Sequence, residues 1–175
     1  TRFAFYQKKI FSPKIRYENM FNPYRLLPEL ASDRIAIAAQ NSLAKGIEMS
    51  ASWQTAGALQ YSASFAFGEV EDNTSEGVRN RSWSQTRTLH VGVVYDARPW
   101  QLSAHGYWGS GRPYTRLPTA IDDAQLPFSS NRNEASLPDS YRLDIKASYF
   151  WQLPASSLEA YADITNVLGF EPVDY

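Results

Sequence analysis

Apolar and polar residues alternate with a period of two along most of this chain, the pattern of strands whose two faces meet different surroundings. Within residues 46–54, Ile47, Met49, Ala51 and Trp53 share one face, opposite Glu48, Ser50, Ser52 and Gln54. Within 59–67, Leu59, Tyr61, Ala63, Phe65 and Phe67 lie opposite Gln60, Ser62 and Ser64. Leu89, Val91, Val93 and Tyr95 oppose His90, Gly92 and Asp96, with Val94 off the pattern; Trp100, Leu102, Ala104 and Trp108 oppose Gln101, Ser103, His105 and Tyr107. Tyr141, Leu143, Ile145, Ala147, Tyr149 and Trp151 oppose Arg142, Asp144, Lys146, Ser148 and Gln152; Leu158, Ala160, Ala162 and Ile164 oppose Glu159, Tyr161, Asp163 and Thr165. Phe3 and Phe5 open a seventh strand, and residues 34–40 start an eighth or extend the strand at 46. No helical period competes over a useful length, so the chain is expected to be all-β.

The connections alternate as well. Those at 54–58, 96–99 and 153–157 are short and carry Gly57, Pro99 and Pro154. Between them lie long polar links at roughly 11–33, 69–86 and 109–140. Antiparallel strands joined short, long, short, long put every tight turn on one rim and every long loop on the other. Transmembrane β-barrels sort their loops in this way.

Composition sharpens the picture at one point. Nine Phe, eleven Tyr and five Trp make the chain 14% aromatic. Trp53, Tyr61, Tyr95, Trp100, Tyr149 and Trp151 all fall on the apolar face within a few residues of a short turn. They are expected at one height, as a girdle where amphipathic rings meet lipid headgroups. Phe67, Trp108 and Tyr141 mark the other end of the band. The ten steps from Tyr141 to Trp151, at about 3.3 Å each and a tilt near 40°, span roughly 25 Å of height, the depth of a barrel's apolar band. The opposite face carries Arg142, Asp144, Lys146, Glu159 and Asp163, which need water or partners and so point to a wet or plugged lumen. The competing reading of such alternation is a soluble antiparallel sheet with one solvated face. Six alternating strands, sorted loops and an aromatic rim favour the barrel.

Charge and cysteine content remove other classes. Seventeen Lys and Arg against eighteen Asp and Glu give a net charge of −1, leaving no general argument for nucleic acid or for a polybasic membrane patch. The absence of cysteine excludes a disulfide framework, a thiolate metal site and a cysteine nucleophile, and suits a chain that crosses an oxidising periplasm unfolded. Apolar runs reach only about five residues, at Ile35-Ala36-Ile37-Ala38-Ala39, against the ~20 of a transmembrane helix. The chain opens mid-strand at Thr1-Arg2-Phe3-Ala4-Phe5-Tyr6 and stops abruptly at Pro172-Val173-Asp174-Tyr175. It is expected to be a fragment of a longer protein, one partial barrel domain over residues 1–175.

Several segments resemble the late barrel strands of TonB-dependent outer-membrane receptors. These are Arg16-Tyr17-Glu18-Asn19, Leu27-Pro28-Glu29-Leu30, Asp33-Arg34, Lys45-Gly46-Ile47-Glu48, Trp83-Ser84-Gln85 and Thr88-Leu89-His90. Gly109-Ser110-Gly111-Arg112-Pro113-Tyr114-Thr115 is similar to the family's G-x-P-x-T stretch. The strongest likeness is Asn131-Arg132, then Leu137-Pro138-Asp139-Ser140-Tyr141-Arg142-Leu143-Asp144, followed by Tyr161-Ala162-Asp163-Ile164-Thr165-Asn166-Val167-Leu168. The resemblance covers nearly the whole chain. It implies an antiparallel up-and-down transmembrane barrel portion, about seven or eight strands of a barrel that in this family has twenty-two, open at both edges. It implies energised uptake of a scarce solute such as ferric siderophore, cobalamin or oligosaccharide, in the bacterial outer membrane. The implied partners are outer-membrane lipid and lipopolysaccharide, a plug domain of the same protein, and the TonB energising complex reached through the N-terminal part. The family's plug, energy-coupling box and final strand have no counterpart in these residues. The alternatives are a passive porin-type barrel and a soluble carbohydrate-binding β-sandwich.

Candidate chemistry is sparse. His90 and His105, the two histidines, both belong to the polar face; if Tyr95 pairs with Trp100, they face each other and could bind a metal or sense pH. No third ligand supports that, and a polar lumen pair with no metal and no cofactor is the expectation. The turn at Leu153-Pro154-Ala155-Ser156 pairs Lys146 with Asp163 as an ion pair. No G-x-S-x-G elbow, P-loop or dinucleotide fingerprint stands in its required setting, so no enzyme activity is expected. Ligand contact is expected instead from the long loops, where Arg79, Arg81, Arg112, Arg116 and Arg132 accompany Trp83 and Tyr114. Guanidinium forks suit carboxylates and phosphates. Against this stands the alternative that these arginines bridge lipopolysaccharide and neighbouring acids such as Asp122 and Asp123, or are solvated.

Overall fold

The computed structural model describes residues 1–19, 26–116 and 132–171. Seven long strands form one antiparallel meander: β1 (Arg2–Phe11), β4 (Asn41–Gln54), β5 (Leu59–Thr74), β7 (Arg87–Ala97), β8 (Trp100–Gly109), β11 (Ser140–Gln152) and β12 (Ser157–Ile164). An eighth strand, β6 (Gly77–Asn80), pairs with the far end of β5 beyond the stretch that β7 covers. The remaining strands are two small hairpins, β2 (Arg16–Asn19) with β3 (Arg34–Ile37), and β9 (Pro113–Tyr114) with β10 (Ala135–Ser136). A single turn of 3-10 helix at Pro28–Leu30 precedes β3. The sheet is open, with β1 and β12 as its edges.

Strand order makes the loop sorting explicit. β4 and β5, β7 and β8, and β11 and β12 are joined on one rim by tight turns, while the described parts of the links over 12–40, 75–86 and 110–139 start and end on the other. Both small hairpins and β6 belong to those long links.

The register assembles the alternating residues into two continuous faces. One row, crossing β4, β5, β7, β8 and β11, runs Met49, Phe65, Leu89, Trp108 and Tyr141. The matching row on the other face runs Ser50, Ser64, His90, Tyr107 and Arg142. Among the described residues nothing packs over the apolar face: Phe3, Phe5, Met49, Trp53, Tyr95, Trp100, Leu102, Ile145 and Leu158 are all exposed. Among the described residues only Ala31 and Ile37 are buried hydrophobics, and both lie outside the main sheet. The sheet therefore has no core of its own.

Several boundaries differ from the sequence expectation. Residues 34–37 neither add to the main sheet nor extend β4; they pair with β2. The link after Phe67 is not all loop, because β5 runs on to Thr74 and returns as β6. β4 likewise begins at Asn41 rather than near Gly46. The cause is visible on the outer face, where Lys45, Glu69 and Glu71 follow Ile47 and Phe67. The strands continue, but the apolar signal ends where the surroundings change. Lys45 Nζ and Glu69 Oε1 close a 2.6 Å ion pair there.

Aromatic residues of the apolar face meet one another across the register near both ends of the sheet. Trp53 and Tyr61 are register partners with ring centroids 5.0 Å apart. Trp100 and Tyr149 are partners at 4.8 Å, and Tyr149 meets Trp151 at 4.6 Å. At the opposite end Trp108 pairs with Tyr141, and its indole N–H donates to Asp139 Oδ2 at 3.1 Å.

Candidate functional site

Two regions carry polar chemistry, the long-loop rim and the polar face of the sheet. The rim is organised around Asp72, near the end of β5 and only 1% exposed. Register places Ser42 of β4 directly opposite, and its hydroxyl donates to Asp72 Oδ1 at 2.6 Å. Arg81, just past β6, donates to the same oxygen through Nε at 3.0 Å and Nη2 at 2.9 Å. Arg16 of β2 reaches the other oxygen at 2.5 Å. A second carboxylate, Glu18, sits beside this hub: it pairs with Arg16 at 3.0 Å and Arg132 at 3.2 Å, and accepts from Ser82 at 3.0 Å. Asn133 then ties the third long link in, donating to the Asn80 carbonyl at 2.7 Å and to Ser82 at 3.2 Å. All three long links thus meet in one buried polar cluster.

Electrostatics explain why the cluster holds. Burial alone pushes the Asp72 carboxyl up, but hydrogen bonds from Arg81 and Ser42 and the charges of Arg16 and Arg81 outweigh it, holding the group below the usual carboxylate range. Burial lowers Arg16 from its ordinary value, and the nearby Glu18 and Asp72 offset only part of this. Asp72 therefore contributes stability that is complete above its unfolded pKa, about 4, and is lost as pH falls through the lower folded value. Limited proteolysis checks this, with proteases active at each pH and every rate normalised to cleavage of an unfolded peptide under the same conditions. Cleavage within the long links should stay flat from neutral pH to about 4 and rise steeply below it. An unchanged cleavage rate down to about pH 2 would contradict the assignment.

These contacts redistribute the predicted ligand-binding residues. Arg81 and Arg132 are built into the hub as partners of Asp72 and Glu18. Arg79 pairs with Glu134 at 3.3 Å. Trp83 is half exposed with the Arg81 guanidinium 5.5 Å from its ring centroid, Tyr114 is half-buried in β9, and Arg112 and Arg116 lie at the surface. Asp122, Asp123 and Asn131 lie outside the described residues. Asp72, Glu18, Arg16, Ser82 and Asn133 were not singled out from sequence as site residues. The contacts that join the links, Arg16–Asp72, Ser82–Glu18 and Arg132–Glu18, span 56, 64 and 114 positions, so local spacing could not assemble the cluster.

On the polar face one expectation fails. The Arg98-Pro99 turn is closed by Ala97 and Trp100, so Tyr95 faces Leu102, not Trp100. His90 accordingly faces Tyr107, with rings 5.0 Å apart, and His105 faces Gly92 on one side and Asp144 on the other. The two histidines are not opposite each other. Among the described residues no group of three or more His, Asp or Glu is placed to hold a metal. Lys146 does stand opposite Asp163, but its ammonium lies 4.0 Å from Glu159 Oε1 and 4.7 Å from the Tyr161 ring centroid. Arg142 Nε donates to both carboxylate oxygens of Asp144, at 2.8 and 2.9 Å. Toward β1 the same face is carpeted with small hydroxyls; Arg2, Ser50, Ser52, Ser62, Ser64 and His90 line a concavity of 440 Å³. Such a wall can be wetted or lie against another polar surface.

Comparisons with protein-family models, with curated proteins and with solved structures find no match to this chain.

Proposed function

We propose that the chain is part of the wall of a transmembrane β-barrel, the C-terminal part of a TonB-dependent outer-membrane receptor that takes up a scarce solute. One observation carries the reading: among the described residues, a single-layer antiparallel sheet exposes a continuous apolar face with no second layer over it. A soluble sandwich would bury that face against a second sheet, whereas lipid covers it in a barrel. The girdle at the short-turn end supports the same assignment, as does the Lys45–Glu69 pair where the band stops.

In this reading the short turns face the periplasm and the long links face outward. The polar face lines the lumen, with Arg142, Asp144, Lys146 and Glu159 in a wet passage or against a plug domain of the same protein. The locked rim holds in place the outer loops that carry Trp83, Tyr114, Arg112 and Arg116, the residues through which the solute would be contacted. The segment supplies wall and outer surface, not the energy-coupling element, and performs no chemistry. The energising complex acts through the N-terminal part, and lipopolysaccharide surrounds the outer rim.

Detergent extraction of the full-length protein, followed by gel migration with and without boiling, tests the barrel. It should require detergent, and its band should shift on heating. A monodisperse, folded protein in plain buffer would sink the reading. Uptake-dependent growth with the energising complex deleted separates the receptor from a passive porin: growth on the limiting solute should stop.

A further inference from the structure

We propose that the apolar wall carries a seat for one acyl chain of a bound phospholipid, spanning β4, β5, β7, β8 and the adjoining edge of β11. This rests on the barrel reading. Two adjacent register rows form the seat. The first is Ala51, Ala63, Val91, Gly106 and Leu143; the second is Trp53, Tyr61, Val93 and Ala104. The row toward the long-loop rim is large throughout, running Met49, Phe65, Leu89, Trp108 and Tyr141. Missing bulk at Ala51, Ala63, Ala104 and Gly106 leaves a groove of about 380 Å³ in an otherwise thick hydrocarbon surface. Gly106 keeps its floor low: a Cβ there would come within 2.9 Å of Val91 Cγ2.

The lining selects the occupant. Its outward-facing side chains are aliphatic except for Trp53 and Tyr61, so a polar ligand would lose its hydrogen bonds to water without replacement. An α-helix is about 10–12 Å across with its side chains and could place only a few of them in this volume. A single flexible hydrocarbon chain fits both the chemistry and the size, which lies at the lower end of the roughly 300–1,000 Å³ of small-molecule sites. Trp53 and Tyr61 stand at the short-turn end, where an indole N–H and a phenol hydroxyl meet lipid headgroups. The chain therefore enters from the leaflet on the short-turn side.

Native mass spectrometry of the full-length protein, purified in mild detergent with added phosphatidylethanolamine, tests the seat. Wild type should retain one more phospholipid than Ala63→Phe, with occupancy falling at least about tenfold. Ala162→Phe, which adds the same bulk to the same face outside the groove, should retain it. Heat-modifiable migration establishes that each variant is folded. If Ala63→Phe misfolds, Ala51→Leu makes the same comparison with less added bulk. Equal retention by wild type and the folded groove variants would overturn the seat and leave the barrel intact. A protein that stays folded without detergent would overturn the barrel and the seat with it.

Discussion

Replacing Asp72 with Asn releases the long-loop rim. The amide keeps the shape and can still accept from Ser42, but the charge that two guanidinium groups share is gone. Arg81 and Arg16, with side chains 17% and 25% exposed, are then left with Glu18 as the nearest acid of the hub, already held by Arg16 and Arg132. Removing one partner of a buried ion pair typically costs about 3–5 kcal/mol; partial exposure of both arginines puts this case near ~3 kcal/mol. The loss is local, because the rim lies beyond the apolar band. Amide exchange reads it directly. The Arg81 N–H, bonded to the Val70 carbonyl, and the Gln40 N–H, bonded to the Asn73 carbonyl, should exchange about a hundredfold faster. Amides in the middle of β7 and β8 should keep wild-type protection. Adding Arg81→Met should restore much of the slowing, since an apolar replacement leaves one fewer uncompensated charge. Rim exchange unchanged in the single variant would show that Asp72 is not the keystone.

The second large effect lies where Tyr6 covers two facing glycines. Gly46 and Gly68 are register partners, and Tyr6 stands opposite Gly46 on β1. A Cβ on Gly46 would lie 2.5 Å from the Tyr6 hydroxyl oxygen and 2.7 Å from the Phe67 carbonyl oxygen. At Gly68 the same atom would meet the Tyr6 hydroxyl at 2.6 Å but the nearest backbone oxygen, Lys45, only at 3.0 Å. A tyrosine ring can swing away; a ladder carbonyl cannot. Gly46→Ala should therefore cost about 3 kcal/mol, at the upper end for overpacking, and Gly68→Ala about 1 kcal/mol. Combining each with Tyr6→Ala sharpens the distinction, since double variants isolate the shared contact. Removing the ring should rescue Gly68→Ala almost completely and Gly46→Ala only in part. Urea unfolding in lipid vesicles compares wild type, the three single variants, Tyr6→Ala included, and the two double variants. Equal rescue at both sites would remove the carbonyl from the explanation.

The faces of the sheet were legible because both partners of the alternation are local: each strand declares its own inside and outside. The register was less so. The expected pairing of Tyr95 with Trp100 missed by two positions, because Arg98 and Pro99 alone make the turn. An error of two keeps every residue on its face and changes only its partner, so the polar-face assignment of His90 survives while its predicted neighbour does not. The continuation of β4 and β5 past Gly46 and Phe67 was hidden for a different reason. Backbone pairing goes on there, but Leu43 shares its face with Lys45, Glu69 and Glu71, and Ala44 and Val70 share theirs with Ser42 and Asp72, so neither face is consistently apolar. The hub was least legible of all. A buried Arg81–Asp72 contact and a solvated surface pair look alike in sequence, and only the fold brings Glu18 to Arg132.

The two-faced wall also constrains how such a chain can change in length. Inserting one residue in β7 would turn every side chain beyond it through the sheet, sending His90 or Asp96 toward the apolar side and Val93 toward the polar one. Two inserted residues restore the faces and merely displace the partners. Between Thr74 and Arg87, or between Gly109 and Ser140, no such parity applies outside β6, β9, β10 and the residues of the rim cluster. Descendants of this chain should therefore differ by any number of residues in their long links, and in their strands only by even ones.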